Sequence, residues 1–179
     1  MGIINVKDYE IKSNCSFIFD TNIWLYLFSS LHDKATNEIK YYSKFLEDTL
    51  SRNCTIYITS SIISEITNVI LRAQFRYLEE VKGKKLHYKK DFVGSKEYEN
   101  TLKGINTIVD SILSIDNIEK VNDHFNSIDL ENIKNNSFAV DWNDSYLLEL
   151  SKMIQCKILT NDSDFFKINT DIDIISLQA

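Results

Sequence analysis

Ser16-Phe17-Ile18-Phe19 is a short apolar run without helical periodicity, and it stops at the polar triplet Asp20-Thr21-Asn22 before a second apolar stretch, Ile23 to Leu31. A short apolar run bounded by a cap-like triplet reads as a buried strand passing directly into a helix. The pattern recurs. Lys34 to Leu50 carries Ile39, Tyr42, Phe45, Leu46 and Leu50 at helical spacing, and Thr55-Ile56-Tyr57-Ile58-Thr59 is rich in β-branched residues, as strands are. Ser60 and Ser61 are natural caps for a third helix, with Ile62, Ile66, Val69 and Ala73 on one stripe. Val140 to Ile154 reads as helix, and Lys157 to Thr160 and Ile172 to Leu177 read as strands. Strands separated by helices imply an α/β chain with a mainly parallel sheet covered by helices on both faces.

Residues of about 82 to 136 fit this scheme least. They hold helical patches such as Leu102, Ile105, Ile108, Val109, Ile112 and Leu113 but few strand signals, so they are expected to form a helical excursion between the two halves of the sheet. A chain of 179 residues, 44% of them apolar, suits one core, and residues 1–179 are expected to form one domain.

Several classes of function are disfavoured. The longest uninterrupted apolar run, Ile23 to Phe28, falls far short of the roughly 20 residues that cross a bilayer. The N-terminal segment lacks signal-peptide architecture, and a cytoplasmic location with no membrane partner is expected. Cys15, Cys54 and Cys156 are odd in number and widely spaced, which suits reduced thiols and neither a disulfide framework nor a zinc knuckle. Gly2, Gly83, Gly94 and Gly104 form no phosphate-binding loop.

The net charge of −6 argues against indiscriminate DNA coating. Between residues 72 and 90, however, seven basic residues face two acidic ones. Arg72, Arg76, Lys84, Lys85, Lys89 and Lys90 in that segment, interleaved with Phe75, Tyr77, Tyr88 and Phe92, suit a path for a phosphate backbone with unpaired bases. A solvated helix end is the plainer reading of the same charges.

The acids are more telling. In a parallel sheet ligands bind beyond the carboxyl ends of the strands, and Asp20, Glu65, Asp162 and Asp164 all follow strands closely. Asp141 and Asp144 join them where their helix begins at the same rim. Each has an ordinary role open to it, since Asp20, Asp141 and Asp162 are good helix caps and Glu65 suits a helix N-terminus. Together they do not. Four or more carboxylates on one rim repel unless a divalent cation neutralises them. Oxygen ligands suit Mg²⁺ or Mn²⁺ rather than Zn²⁺, and His32, His87 and His124 lack metal-ligand spacing.

Phe17 to Asn22, the Ser-Ser-Ile-Ile-Ser-Glu-Ile segment holding Glu65, Asp141-Trp-Asn-Asp144, and Ile158-Leu-Thr-Asn-Asp-Ser-Asp-Phe165 closely resemble, in this order, the PIN-domain nucleases. The resemblance implies a three-layer α/β/α fold, from which the helical insertion at about 82–136 is the main departure. It also implies that Asp20, Glu65, Asp144 and Asp162 form a catalytic quartet holding Mg²⁺ or Mn²⁺. Asp141 and Asp164 become auxiliary acids, while Thr21, Asn22 and Thr160 orient the ligands. The implied activity is an endoribonuclease that uses a metal-activated water against phosphorus.

Many members of that family are toxins of toxin–antitoxin pairs. RNA as substrate, an antitoxin-like inhibitor and a homodimer are therefore the partners implied. The rival readings are a catalytically idle binding module and a haloacid-dehalogenase-type phosphotransferase. The latter needs an acid at the position of Asn22.

Overall fold

The computed structural model describes residues 2–32 and 34–179, and all candidate site residues lie within them. Among the described residues six strands form one sheet: β1 (Ile3–Asn5), β2 (Ser16–Phe19), β3 (Thr55–Ile58), β4 (Ile118–Lys120), β5 (Lys157–Leu159) and β6 (Ile174–Ser176). Their order across the sheet is β1-β6-β5-β2-β3-β4, and every pairing is parallel. Among the described residues the α-helices are α1 (Thr21–Phe28), α2 (Thr36–Ser51), α3 (Ser60–Lys82), α4 (Lys96–Leu113), α5 (Leu130–Asn136) and α6 (Trp142–Met153). The architecture is three-layer α/β/α, as the alternation of runs implies.

The winding determines where a site can form. From β2 the chain steps outward through β3 to β4 on one side, then returns to place β5 and β6 on the other. The reversal leaves β2 and β5 adjacent, with Ile18 registered to Ile158 and Phe19 to Leu159. Such a switch point opens a crevice beyond the carboxyl ends of its two strands. Here those ends lead into Asp20 and Thr160.

Burial explains why β2 is apolar at successive positions. Phe17, Ile18 and Phe19 are all wholly buried, because helices cover both faces of an interior parallel strand. Phe17 meets Phe45 of α2 edge-on at 5.4 Å between centroids, and Phe19 lies 5.3 Å from Trp24 of α1. The Trp24 indole N–H donates to the Phe19 carbonyl at 3.0 Å, so a large ring is buried without an orphaned donor. Each such side chain contributes roughly 1.5–3 kcal/mol through burial.

Residues 82–136 depart from the expected excursion in one respect: Ile118–Lys120 pairs with β3 as an edge strand. The strand is three residues long and mostly exposed, so it carries neither an apolar run nor an alternation. The opposite edge, Ile3–Asn5, escapes a periodicity reading for the same reason. Elsewhere the segment holds α4 and α5, with loops between the elements that include all of residues 121–129. At the end of α3 Gly83 takes φ 62° as a left-handed cap, a conformation that glycine adopts without a Cβ penalty. Residues Tyr88–Phe92 form a π-helical turn before α4.

The distal half of α3, this turn and α4 enclose a small core of their own. Leu71, Leu78, Phe92 and Ile105 are buried there, apart from the main core.

Candidate functional site

Asp20 is the N-cap of α1, so the strand-to-helix junction itself orients it. Its Oδ1 accepts from the Thr21 backbone N–H at 2.6 Å, while Oδ2 accepts from the Thr160 hydroxyl at 2.7 Å and from the Asn22 side-chain amide. A carboxylate offers about four lone-pair directions, and these three donors leave it one to present outward. Thr160, at the end of β5, joins the two strands: its hydroxyl also accepts from the Asp162 backbone N–H at 3.0 Å and from Asn22 at 3.2 Å.

The three aspartate caps hold, and the serine caps do not. Asp141 caps α6 by accepting from the Asp144 N–H at 2.9 Å, and Asp162 caps the 3₁₀ turn Ser163–Lys167 by accepting from the Asp164 N–H at 2.8 Å. For α3 the cap is Thr59, whose hydroxyl accepts from Ile62 N–H at 3.2 Å, and Ser60 and Ser61 fall inside the first turn. Starting the helix one residue earlier keeps Glu65 in its second turn, where its Oε2 accepts from the Thr21 hydroxyl at 3.0 Å.

Electrostatics shows which acids meet. Burial pushes the Asp20 carboxyl up to about 7, the donors from Thr160 and Thr21 opposing the shift and the charges of Glu65 and Asp162 adding to it. Asp144 is half-buried and rises to about 8, first through desolvation and then through the charges of Asp20, Asp141, Asp162 and Glu65. No donor or cation opposes that rise. Glu65 is raised by burial and by Asp141, against the Thr21 hydrogen bond. Asp20, Glu65, Asp141, Asp144 and Asp162 thus form one mutually repelling group drawn from four separate stretches of chain.

Among the described residues no three acidic, histidine or cysteine side chains are already gathered tightly enough to make a coordination shell. Asp20, Glu65, Asp141 and Asp162 each answer to their own hydrogen-bond donors. The donor set is all oxygen, as a hard divalent ion requires, and Asp144 lacks any compensating partner. These residues fit such an ion.

Asp164 is turned elsewhere: its Oδ1 meets the Lys167 ammonium at 2.7 Å, and it is not among the charges acting on Asp20 or Asp144. The basic residues lie along and beyond α3. At about 1.5 Å per residue, Arg72 is about 10 Å and Lys82 about 25 Å along the helix from Glu65. Lys84, Lys85, Lys89 and Lys90, further on, are exposed.

The aromatic interleaving is not a stacking surface. Phe75, Tyr88 and Phe92 pack against one another at 5.1–5.6 Å within the small core, and the Arg72 guanidinium lies 4.4 Å over the Tyr88 ring. Of the four rings Tyr77 remains exposed.

Asn161 has a part in the site that no sequence pattern assigns to it. It donates its backbone N–H to Asn22 Oδ1 at 3.0 Å, accepts from the Tyr42 hydroxyl at 2.7 Å and donates its side-chain amide to the Tyr26 hydroxyl at 3.1 Å. These bonds pin the loop carrying Asp162 to α1 and α2. The place of Asn161 between Thr160 and Asp162 is the only sequence signal for it.

Comparison with known proteins bears on the fold and the family. A solved structure, VapBC2 from Rickettsia felis bound to a DNA fragment from its promoter, contains a chain that superposes with a TM-score of 0.52 at 18% identity, covering 89% of this chain and 98% of that one. At that identity the likeness speaks for the fold. Curated protein sequences gave no significant match. The PIN domain family profile matches residues 17–170, from the strand before Asp20 to beyond the last acid. PIN domains are generally nucleases that depend on a divalent metal. The chain belongs to the PIN domain family.

Proposed function

We propose that the chain is a cytoplasmic, divalent-metal-dependent endoribonuclease in which Asp20, Glu65, Asp144 and Asp162 hold Mg²⁺ or Mn²⁺. The observation that carries this reading is the set of hydrogen bonds that draws three acids to one rim: the Thr160 hydroxyl joins Asp20 to the backbone of Asp162, and the Thr21 hydroxyl joins the start of α1 to Glu65. A cation among these oxygens would supply an acidified water and offset charge on the attacked phosphate.

The chain's own residues do the rest. Thr21, Asn22 and Thr160 hold Asp20 in one orientation, and Thr160 fixes the start of the Asp162 loop through the backbone. Asp141 positions the first turn of α6 and adds charge to Asp144, acting as an auxiliary acid. Asp164 supports the site by its N–H, which orients Asp162. Arg72, Arg76, Lys84, Lys85, Lys89 and Lys90 would guide the RNA backbone at a distance from the cut. An inhibitor chain of antitoxin type would act by offering basic groups to the same acids, and the solved VapBC2 assembly supports a partner of this kind.

The test is incubation of purified protein with labelled RNA in Mn²⁺ and in EDTA, beside Asp20→Asn. Cleavage is expected in Mn²⁺ alone, and only with Asp20 intact. Cleavage that survives both chelation and mutation contradicts the reading; metal-independent RNA binding without cleavage favours an idle binding module.

A further inference from the structure

Beside the acids lies a groove of about 470 Å³, well within the range of ligand-binding pockets. Phe125, which is 61% exposed, and Trp142, 47% exposed, line it together with Ser60, Ser61, Ser64 and Asn143. We propose that this groove is a base-stacking subsite that takes one unpaired base of the RNA strand next to the scissile phosphate. The inference rests on the endoribonuclease reading of the neighbouring acids.

Three observations favour a base. First, the groove adjoins the acid cluster through α3, where Ser61 of its lining stands four residues before Glu65, and Trp142 opens α6, the helix that also carries Asp144. Residues three and four apart share a helix face, so a ligand seated on Ser61 is one turn from Glu65. Second, the lining has no lysine or arginine, and its single charged member is Asp123. A phosphate would be repelled there, whereas a neutral base finds aromatic faces for stacking and hydroxyl and amide groups for its edge. Third, the shelf is built and held. The Tyr146 hydroxyl donates to the Asp123 carbonyl at 2.6 Å, fastening the loop that carries Phe125 to the helix that carries Asp144. Two exposed aromatic rings otherwise leave apolar area in water. A duplex keeps each base's faces stacked and its edge paired, so the subsite selects single-stranded RNA.

The chain reports on itself, because it has two tryptophans and the other, Trp24, is wholly buried. Asp20→Asn protein in Mg²⁺, where cleavage does not interfere, is titrated with a labelled single-stranded oligoribonucleotide while anisotropy and intrinsic emission are followed. Binding is expected to quench Trp142, and a duplex of the same sequence is not. In that background Phe125→Ala weakens binding by roughly tenfold, and Trp142→Phe retains the affinity but loses the quench. Both positions are exposed, and circular dichroism checks that the fold is kept.

Absence of binding, binding without a quench, an equal quench by duplex, or full affinity in Phe125→Ala each overturns the subsite. Metal-dependent cleavage by the unaltered protein is measured separately. Cleavage with no aromatic effect sinks the subsite alone; quenching with no cleavage sinks the nuclease reading alone. A quench produced by a protein partner and not by RNA assigns the groove to protein binding.

Discussion

The rim of the sheet and the arm made by distal α3 and α4 are held by opposite means. At the rim five acids repel one another, and all but Asp144 are oriented by threonine, asparagine or backbone donors. In the arm a small cluster around Phe92 supports a surface rich in lysine. The rim borrows rigidity from the main core and commits none of its own residues to packing. The arm must pack itself, and of its interleaved aromatic residues all but Tyr77 are used up in doing so. A basic segment with aromatic residues is therefore not by itself a nucleic-acid surface, because the rings can belong to the support.

The largest expected effect lies at the rim. Asp144→Asn should lower metal-dependent RNA cleavage by about a thousandfold, the loss of several kcal/mol of metal-assisted stabilisation. Without divalent ions the same variant should unfold at higher temperature than the unaltered protein at pH 8, since it removes a carboxyl that resists ionisation. An apo protein destabilised by this change breaks the picture of mutually repelling acids.

Phe92→Ala removes a wholly buried ring and should cost about 3–5 kcal/mol. The loss is expected to stay local: amides of α4 should lose exchange protection while those of β2 keep theirs and metal binding is unchanged. A uniform loss of protection would show that the arm is one cooperative unit with the sheet.

The two regions also differ in their response to pH. Folded Asp20 and Asp144 titrate near 7 and 8, whereas unfolded carboxyls titrate near 4. Between those values the folded state holds protons that the unfolded chain has released, so metal-free stability should fall as pH rises from about 4 to 8. Thermal unfolding in EDTA across that range checks the slope, and Asp20→Asn with Asp144→Asn should flatten it.

Replacing Lys84, Lys85, Lys89 and Lys90 by Ala should reduce the salt dependence of RNA binding, by about 0.7 in slope for each phosphate that is no longer neutralised. An unchanged slope removes the arm from the RNA path. The smallest effect is expected from Tyr42→Phe. It strips hydrogen bonds from Asn161 Oδ1 and the Leu177 N–H, costing about 1 kcal/mol and loosening the Asp162 loop.

Much of this was legible from the residues. The strands β2, β3, β5 and β6 are apolar or β-branched runs, and the acids after them follow from where a parallel sheet leaves its crevice. Strands β1 and β4 were not, because three-residue edges with exposed positions carry no period. The hydrogen bond between Tyr42 and Asn161 joins residues 119 apart, and no local pattern encodes that meeting. Thr59 displaced Ser60 and Ser61 as a cap because all three can fill that role and only the end of β3 decides among them.

The most direct measurement is calorimetric titration of metal-free protein with Mn²⁺ at pH 7 in two buffers of different ionisation enthalpy. Saturable binding with release of about one proton is predicted, since a ligand must shed its proton before it can bind metal, and Asp144→Asn should weaken the binding and reduce the proton release. Absence of saturable binding, or binding that Asp144→Asn leaves unaltered, would contradict the claim that these acids are arranged around a shared cation.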